Sequence, residues 1–232
     1  MDLRLDPIQE LSLWPWRLYL PLLSLWNRGA ITRGPAQDRV ALTFDDGPDG
    51  RFTPAMLETL DRFQARATFF MLGAQIERAP DLAREVASRG HELAVHLFSH
   101  DRAAARDHAR FREELLRTVA LVQEAAGRPP RFLRLPFAYL GKQTPRRIRD
   151  DFGLRTAHWS FSLLDSRYAA ARIEQRFRRA VFPGAIALLH DGVGPHSSHG
   201  RTRQPTLEAL PGVIATCRER GLEPVTLSEL LG

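Results

Sequence analysis

The sequence predicts an α/β fold in which a single domain forms a closed or distorted barrel. Short apolar runs bounded by turn residues alternate with helical patterns, giving about seven β/α units. The residues of greatest chemical potency fall at the ends of the predicted strands, where barrel folds carry their active sites. A chain of 232 residues is long enough to bury one such core.

Residues 40–44 read as the first buried strand. Thr53 caps a helix with Pro54 at its first position and Met56, Leu57, Leu60 and Phe63 on one face. A strand at 67–71 precedes a helix at 80–88 that stops at Gly90, and a short third strand covers 92–95. The helix at 109–126 turns Leu115, Val119 and Val122 inward and ends at Gly127. A strand at 132–135, a helix at 145–151 and a strand at 154–159 follow, then a helix at 169–181 and an apolar strand at 185–189. The last unit is a helix at 205–220 and a strand at 224–226, after which Thr226 and Glu229 have the spacing of a capping box. Cys217 continues the stripe of Leu210, Val213 and Ile214, a small core residue with no partner for an intrachain disulfide.

Residues 1–36 stand apart as an apolar leader, and 37–232 as the domain. Residues 11–26 are rich in leucine and tryptophan but are interrupted by Pro15, Arg17 and Pro21, and they are short for a membrane span. Asp2, Asp6 and Glu10 ahead of them argue against a secretory signal. The segment fits either a strap against the domain or a peripheral membrane contact. The missing signal favours the cytoplasm or the inner membrane face, although the cell envelope stays open. The net charge of +6 comes from arginine, Lys142 being the only lysine. The arginines are scattered and no nucleic-acid motif is present, so nucleic acid is not an expected partner.

Asp45 and Asp46 end the first strand, His96 the third, Arg134 the fourth and His190 the sixth, so five reactive side chains converge on one mouth. His96 and His100, four apart, fall on one face of a helical turn, a spacing suited to two ligands of one metal. Asp46 is the natural third ligand, because two histidines and one carboxylate leave positions for water and substrate. Its neighbour Asp45 is then available as a base. Taken alone, Asp45-Asp46-Gly47-Pro48 reads equally well as a solvated turn. His91 is expected to hydrogen-bond backbone before its strand, and the loop 192–200 with His196 and His199 is a candidate gate.

Thr43-Phe44-Asp45-Asp46-Gly47-Pro48, His96-x-x-x-His100, Arg134-x-Pro136-Phe137 and Leu188-Leu189-His190 resemble, in order and spacing, the motifs of the polysaccharide deacetylase family (carbohydrate esterase family 4, the NodB homology domain). The resemblance runs from about residue 39 to 231 and includes Ala67-Thr68-Phe69-Phe70, Gly90-His91-Glu92 and Thr206-Leu207-Glu208-Ala209-Leu210. It implies a distorted (β/α)7 barrel. It also implies Asp46, His96 and His100 as ligands of a divalent metal, usually zinc and sometimes cobalt or another ion. Asp45 matches the general base, Arg134 the arginine that orients it, His190 the general acid and Asp165 the carboxylate that tunes it. Leu188 matches a pocket for the acyl methyl, and Pro136 and Phe137 border the substrate.

The implied activity is metal-dependent hydrolysis of N-acetyl groups from N-acetylhexosamine units of a cell-wall glycan or related glycoconjugate. A lipid-linked amino sugar, deacylated or deformylated at the membrane, is the alternative substrate. A catalytically silent glycan-binding module is the alternative of another class. Three motifs depart from the family pattern: Leu97 stands for a hydroxyl residue that would brace the histidine loop, Phe137-Ala138 for Tyr-Gly, and Ser166 for a tryptophan that Trp159 or Phe161 would replace as a wall of the cleft.

Overall fold

The computed structural model describes residues 29–101, 103–138, 143–194 and 202–232. The apolar segment 11–26 and the histidines 196 and 199 therefore lie outside the described residues.

Eight strands form one parallel sheet: β1 (Arg39–Asp45), β2 (Thr68–Met71), β3 (Glu92–Val95), β4 (Phe132–Leu133), β5 (Arg155–Thr156), β6 (Phe161–Ser162), β7 (Ile186–His190) and β8 (Glu223–Val225). Their order is β5-β4-β3-β2-β1-β7-β6, with β8 paired to the start of β1. The connecting helices are α1 (Thr53–Arg62), α2 (Gly73–Arg78), α3 (Pro80–Ser88), α4 (His108–Ala126), α5 (Pro145–Phe152), α6 (Ala170–Ala180), α7 (Gln204–Glu219) and α8 (Leu227–Leu231).

The continuous apolar strands are explained by two cores, one on each face of the sheet. Leu42, Phe44, Phe69, Val95 and Leu189 point outward and pack under Met56, Leu115, Phe177 and Ile214 of the helices. The alternate residues Ala41, Phe70, Ala94, Ile186 and Leu188 point inward and fill the barrel with Phe132 and Trp159. Period-two alternation with both faces covered leaves few polar positions within a strand, and the buried Thr43 of β1 is satisfied by Ala187 O and the Arg134 side chain. The sheet curls without β5 and β6 pairing among the described residues. Residues 31–34 run along that seam. Ile31 N–H donates to Thr156 O at 2.8 Å, Ile31 O accepts from His158 N–H at 2.7 Å, and Gly34 N–H donates to Gly184 O at 2.8 Å. This is the distorted barrel that the sequence predicts.

Local details depart from the expectations. Phe161–Ser162 is an additional strand, and the run at 154–159 contributes only Arg155–Thr156 to the sheet, so the strands number eight among the described residues. Strands of two residues are too short to show an alternation. Thr53 does not cap α1; Phe52 holds that position without a side-chain cap. His91 is buried beside the Phe69 ring, 5.5 Å between centroids, and neither ring nitrogen finds a hydrogen bond among the described residues. Burial holds its pKa down at about 4. The capping box at Thr226 and Glu229 is present, and Cys217 is buried with Leu210, Val213 and Ile214 in α7.

Candidate active site

All strands run parallel, so their carboxyl ends open on one mouth. Asp45 is the last residue of β1 and Asp46 the first beyond it. Successive strand side chains normally point apart, but the backbone turns to φ 77° at Asp46. Both carboxylates thereby approach one imidazole: His96 Nε2 lies 3.8 Å from Asp45 Oδ2 and 3.5 Å from Asp46 Oδ1. His100 Nε2 lies 3.2 Å from the same Asp46 oxygen.

The stretch from His96 to His100 is a loop, not the helical turn that its spacing suggests. Leu97 (φ 62°) and His100 (φ 58°) take left-handed backbone and fold the chain back, bringing the two rings to 5.3 Å. Leu97 is fully buried in the helix-side core, so it is not a wall of the cleft. Its carbonyl accepts from Gly73 N–H at 2.9 Å, and the brace falls to Ser99 instead. Ser99 N–H donates to Glu114 Oε2 at 3.1 Å, and its hydroxyl to Glu114 Oε1 at 2.8 Å.

His96 Nδ1–H donates to the main-chain oxygen of Arg134 at 2.7 Å. A carbonyl can only accept, so the tautomer is set and Nε2 keeps its lone pair. The Arg134 side chain is wholly buried inside the barrel. It donates to Asp45 Oδ1 at 2.6 Å, Thr43 Oγ1 at 2.8 Å, Ala157 O at 3.2 Å and His158 O at 2.7 Å. Its guanidinium lies 4.0 Å from the Phe70 ring centroid. Burial pulls its pKa down, opposed by Asp45.

At the end of β7, His190 Nδ1–H donates to Asp165 Oδ1 at 2.8 Å, and His190 N–H to Asp165 Oδ2 at 2.8 Å. Thr206 at the start of α7 donates a third bond to Asp165 Oδ2 at 2.8 Å. Burial works against a charge on His190, but Asp165 outweighs it and raises the imidazole pKa. Burial likewise raises Asp165, and His190 more than reverses this, leaving the carboxyl below its ordinary range.

Pro136 is buried, and Phe137 is half-buried with its ring 4.6 Å from that of His100. Leu188 is buried on the inner face beneath His190. Trp159 packs beside Arg134, and Phe161 packs edge-on against Phe177 in the core. Trp159 thus belongs to the barrel interior and Phe161 to the helix-side core.

Asp191 is a site neighbour that sequence reasoning missed, although its place directly after His190 is a signal. It is fully buried and accepts from Thr53 Oγ1–H at 2.6 Å. Burial lifts its carboxyl to about 7, against the Thr53 bond and with help from Asp46. A Cβ on Gly47 would lie 2.0 Å from Asp191 Oδ2, so the Asp-Asp-Gly turn needs its glycine. Left-handed backbone at non-glycine residues gathers here: Asp46, Leu97, His100, Phe137, Ala138 and Leu164 all border the site, and Gln64 alone lies elsewhere among the described residues.

Ligand atoms of Asp46, His96 and His100 lie within 4.8 Å of one another. Asp46 Oδ1 is buried and makes no hydrogen bond among the described residues, and His100 Nδ1 is likewise unpartnered. Burial would raise Asp46, but His100, His96 and His190 hold it well below the carboxylate range, while burial holds His100 at about 4. A carboxylate and two imidazoles whose Nε2 atoms face one Asp46 oxygen fit a divalent metal.

A family model described as polysaccharide deacetylase matches residues 32–157. A peptidoglycan-N-acetylglucosamine deacetylase of Bacillus cereus is 32% identical over 193 residues, spanning 82% of this chain and 67% of its own. A chitooligosaccharide deacetylase of Bradyrhizobium sp. is 34% identical over 218 residues, spanning 91% and 98%. A crystal structure of a peptidoglycan N-acetylglucosamine deacetylase in complex with 4-naphthalen-1-yl-N-oxidanyl-benzamide shares the fold with TM-score 0.79 and 27% identity, over 91% of this chain and 96% of that one. The match of motifs, fold and full-length relatives makes this chain a member of the polysaccharide deacetylase family of carbohydrate N-deacetylases.

Proposed function

We propose that the chain removes N-acetyl groups from N-acetylhexosamine units of a cell-wall polysaccharide or related glycoconjugate. One observation carries the reading: two hydrogen-bonded acid–base pairs, Arg134–Asp45 at 2.6 Å and Asp165–His190 at 2.8 Å, present the register partners Asp45 and His190 beside the Asp46, His96 and His100 cluster. A divalent ion, zinc by the chemistry of the donor set, supplies Lewis acidity there when bound. Asp45, fixed by Arg134, accepts a proton from the attacking water. His190, kept protonated by Asp165, donates to the amine as the C–N bond breaks. A main-chain N–H at Phe137 donates to the developing oxyanion, and Leu188 borders the methyl group. Acetate and the free amino sugar are the products.

The test is a side-by-side screen of chitooligosaccharides, peptidoglycan fragments and an undecaprenyl-linked amino sugar with the zinc- or cobalt-loaded full chain, reading acetate and free amine. Release from the first two supports the reading. Turnover of the lipid-linked sugar alone moves the assignment to the membrane alternative, and no release from any of the three supports the silent module. Liposome co-sedimentation of the full chain tests membrane contact through residues 11–26.

A further inference from the structure

The two histidines of the cluster are held differently. His96 has the usual support of a ligand imidazole, a hydrogen bond from Nδ1 to a carbonyl. His100 has none: its Nδ1 is buried and unpartnered among the described residues. Its backbone is left-handed at φ 58°, a conformation that an L side chain disfavours. Something other than the ring's own hydrogen bonding must hold this residue.

The residues on either side of it are both tied to α4. Ser99 gives its N–H and its hydroxyl to the Glu114 carboxylate. Asp101 pairs with Arg110 at 2.7 Å. Arg110 Nε then donates to Glu114 Oε1 at 3.1 Å, closing the network. Positions 110 and 114 are one helical turn apart and share a face. The Asp107 carboxylate caps the helix through Arg110 N–H at 3.1 Å, fixing the turn from which the clamp projects. Glu114 is itself buried, so its bonds are little diluted by solvent.

We propose that Glu114 and Arg110 are positioning residues for the metal centre, setting the orientation of His100 by gripping Ser99 and Asp101. The inference rests on reading Asp46, His96 and His100 as metal ligands. It also gives this chain a substitute for the hydroxyl missing at Leu97: the brace comes from two residues further on, and from a helix.

Zinc affinity of the full chain, measured by competition with a chromophoric chelator, tests the clamp, with cobalt absorption bands as a second readout of coordination geometry. Glu114→Leu should weaken zinc binding by about 10- to 100-fold and alter the cobalt bands. Ser99→Ala should weaken it in the same direction, and Ser99→Thr should restore it. Folded Glu114→Leu that binds zinc like the parent overturns the proposal. If that variant does not fold, equal affinities of Ser99→Ala and Ser99→Thr overturn it instead. Asp46→Ala separates the two levels: if it keeps zinc, the ligand assignment fails. If it loses zinc while the Glu114 and Ser99 variants keep it, only the clamp fails.

Discussion

Asp45 and His190 are register partners, side by side at the carboxyl ends of the adjacent parallel strands β1 and β7. The register is pinned beyond the strands, because Asp45 O accepts from Asp191 N–H at 3.2 Å and Gly192 N–H at 3.4 Å. Residues distant in sequence are thus set beside one another by main-chain hydrogen bonds. Each then has its own buried partner, Arg134 for one and Asp165 for the other.

Asp45→Asn keeps the shape of the side chain and removes its basicity. Deacetylation should fall by about 10²- to 10⁴-fold in kcat while zinc stays bound. Arg134 is left as a buried cation without a counter-charge, so stability should also fall, by about 3–5 kcal/mol. Acetate release, zinc content and urea unfolding on one preparation check all three. A variant with parental kcat removes Asp45 from the reaction.

Asp165→Asn can still accept the Nδ1–H of His190 but carries no charge. Asp165 raises the His190 pKa, and the protonated imidazole is lost as pH rises through that value. Without the carboxylate, the basic limb of kcat/KM should move to lower pH. A limb that stays in place means that His190 is not the acid.

Gly47→Ala drives a methyl group into Asp191, which cannot swing away without giving up its bond to Thr53. The turn carrying Asp46 must move instead. Overpacking of this kind costs about 1–3 kcal/mol, and zinc affinity should fall with the melting temperature. Parental values of both would show that the Asp191 carboxyl yields freely.

His158 lies wholly inside the barrel, and burial, reinforced by Arg134, pulls its pKa to about 3. The folded value is below the unfolded one, so the unfolded chain takes up this proton first. Stability is therefore lost as pH falls from about 6.5 towards 3, at up to about 1.4 kcal/mol per unit. His158→Leu should flatten that slope, as read by urea unfolding at a series of pH values. An unchanged slope assigns the acid sensitivity to other groups.

The strand ends were legible because buried parallel strands are mostly apolar, so an ionisable side chain at the carboxyl end of an apolar run marks the mouth. That logic found Asp45, Asp46, His96, Arg134 and His190 and placed them at one end of the sheet. It failed where backbone conformation carries the information. Nothing in the His96 to His100 spacing signals left-handed residues at Leu97 and His100, and a loop delivers the two rings as well as a helical turn would. Thr53 before a proline looks like a helix cap, yet its hydroxyl is drawn to Asp191 by a tertiary contact invisible in local sequence. Leu97 reads as a lost brace of the histidine loop, but an apolar side chain at a turn goes to the nearest core. Glu114 is one of three acidic residues on an amphipathic helix, and only the folded chain brings it to Ser99.

The left-handed residues around the mouth bear on how this protein would wear out and how it could be improved. At about 1–2 kcal/mol each, they concentrate conformational tension in loops that the rest of the barrel must restrain. Heating should therefore abolish turnover before helical content declines. A search for hardier variants should drift towards glycine at the half-buried Phe137, whereas at Leu97 the core packing lost would outweigh the tension released. Glycine at 137 would also take away the ring that lies against His100. Thermal hardiness and catalytic competence are set against each other in the same few peptide units.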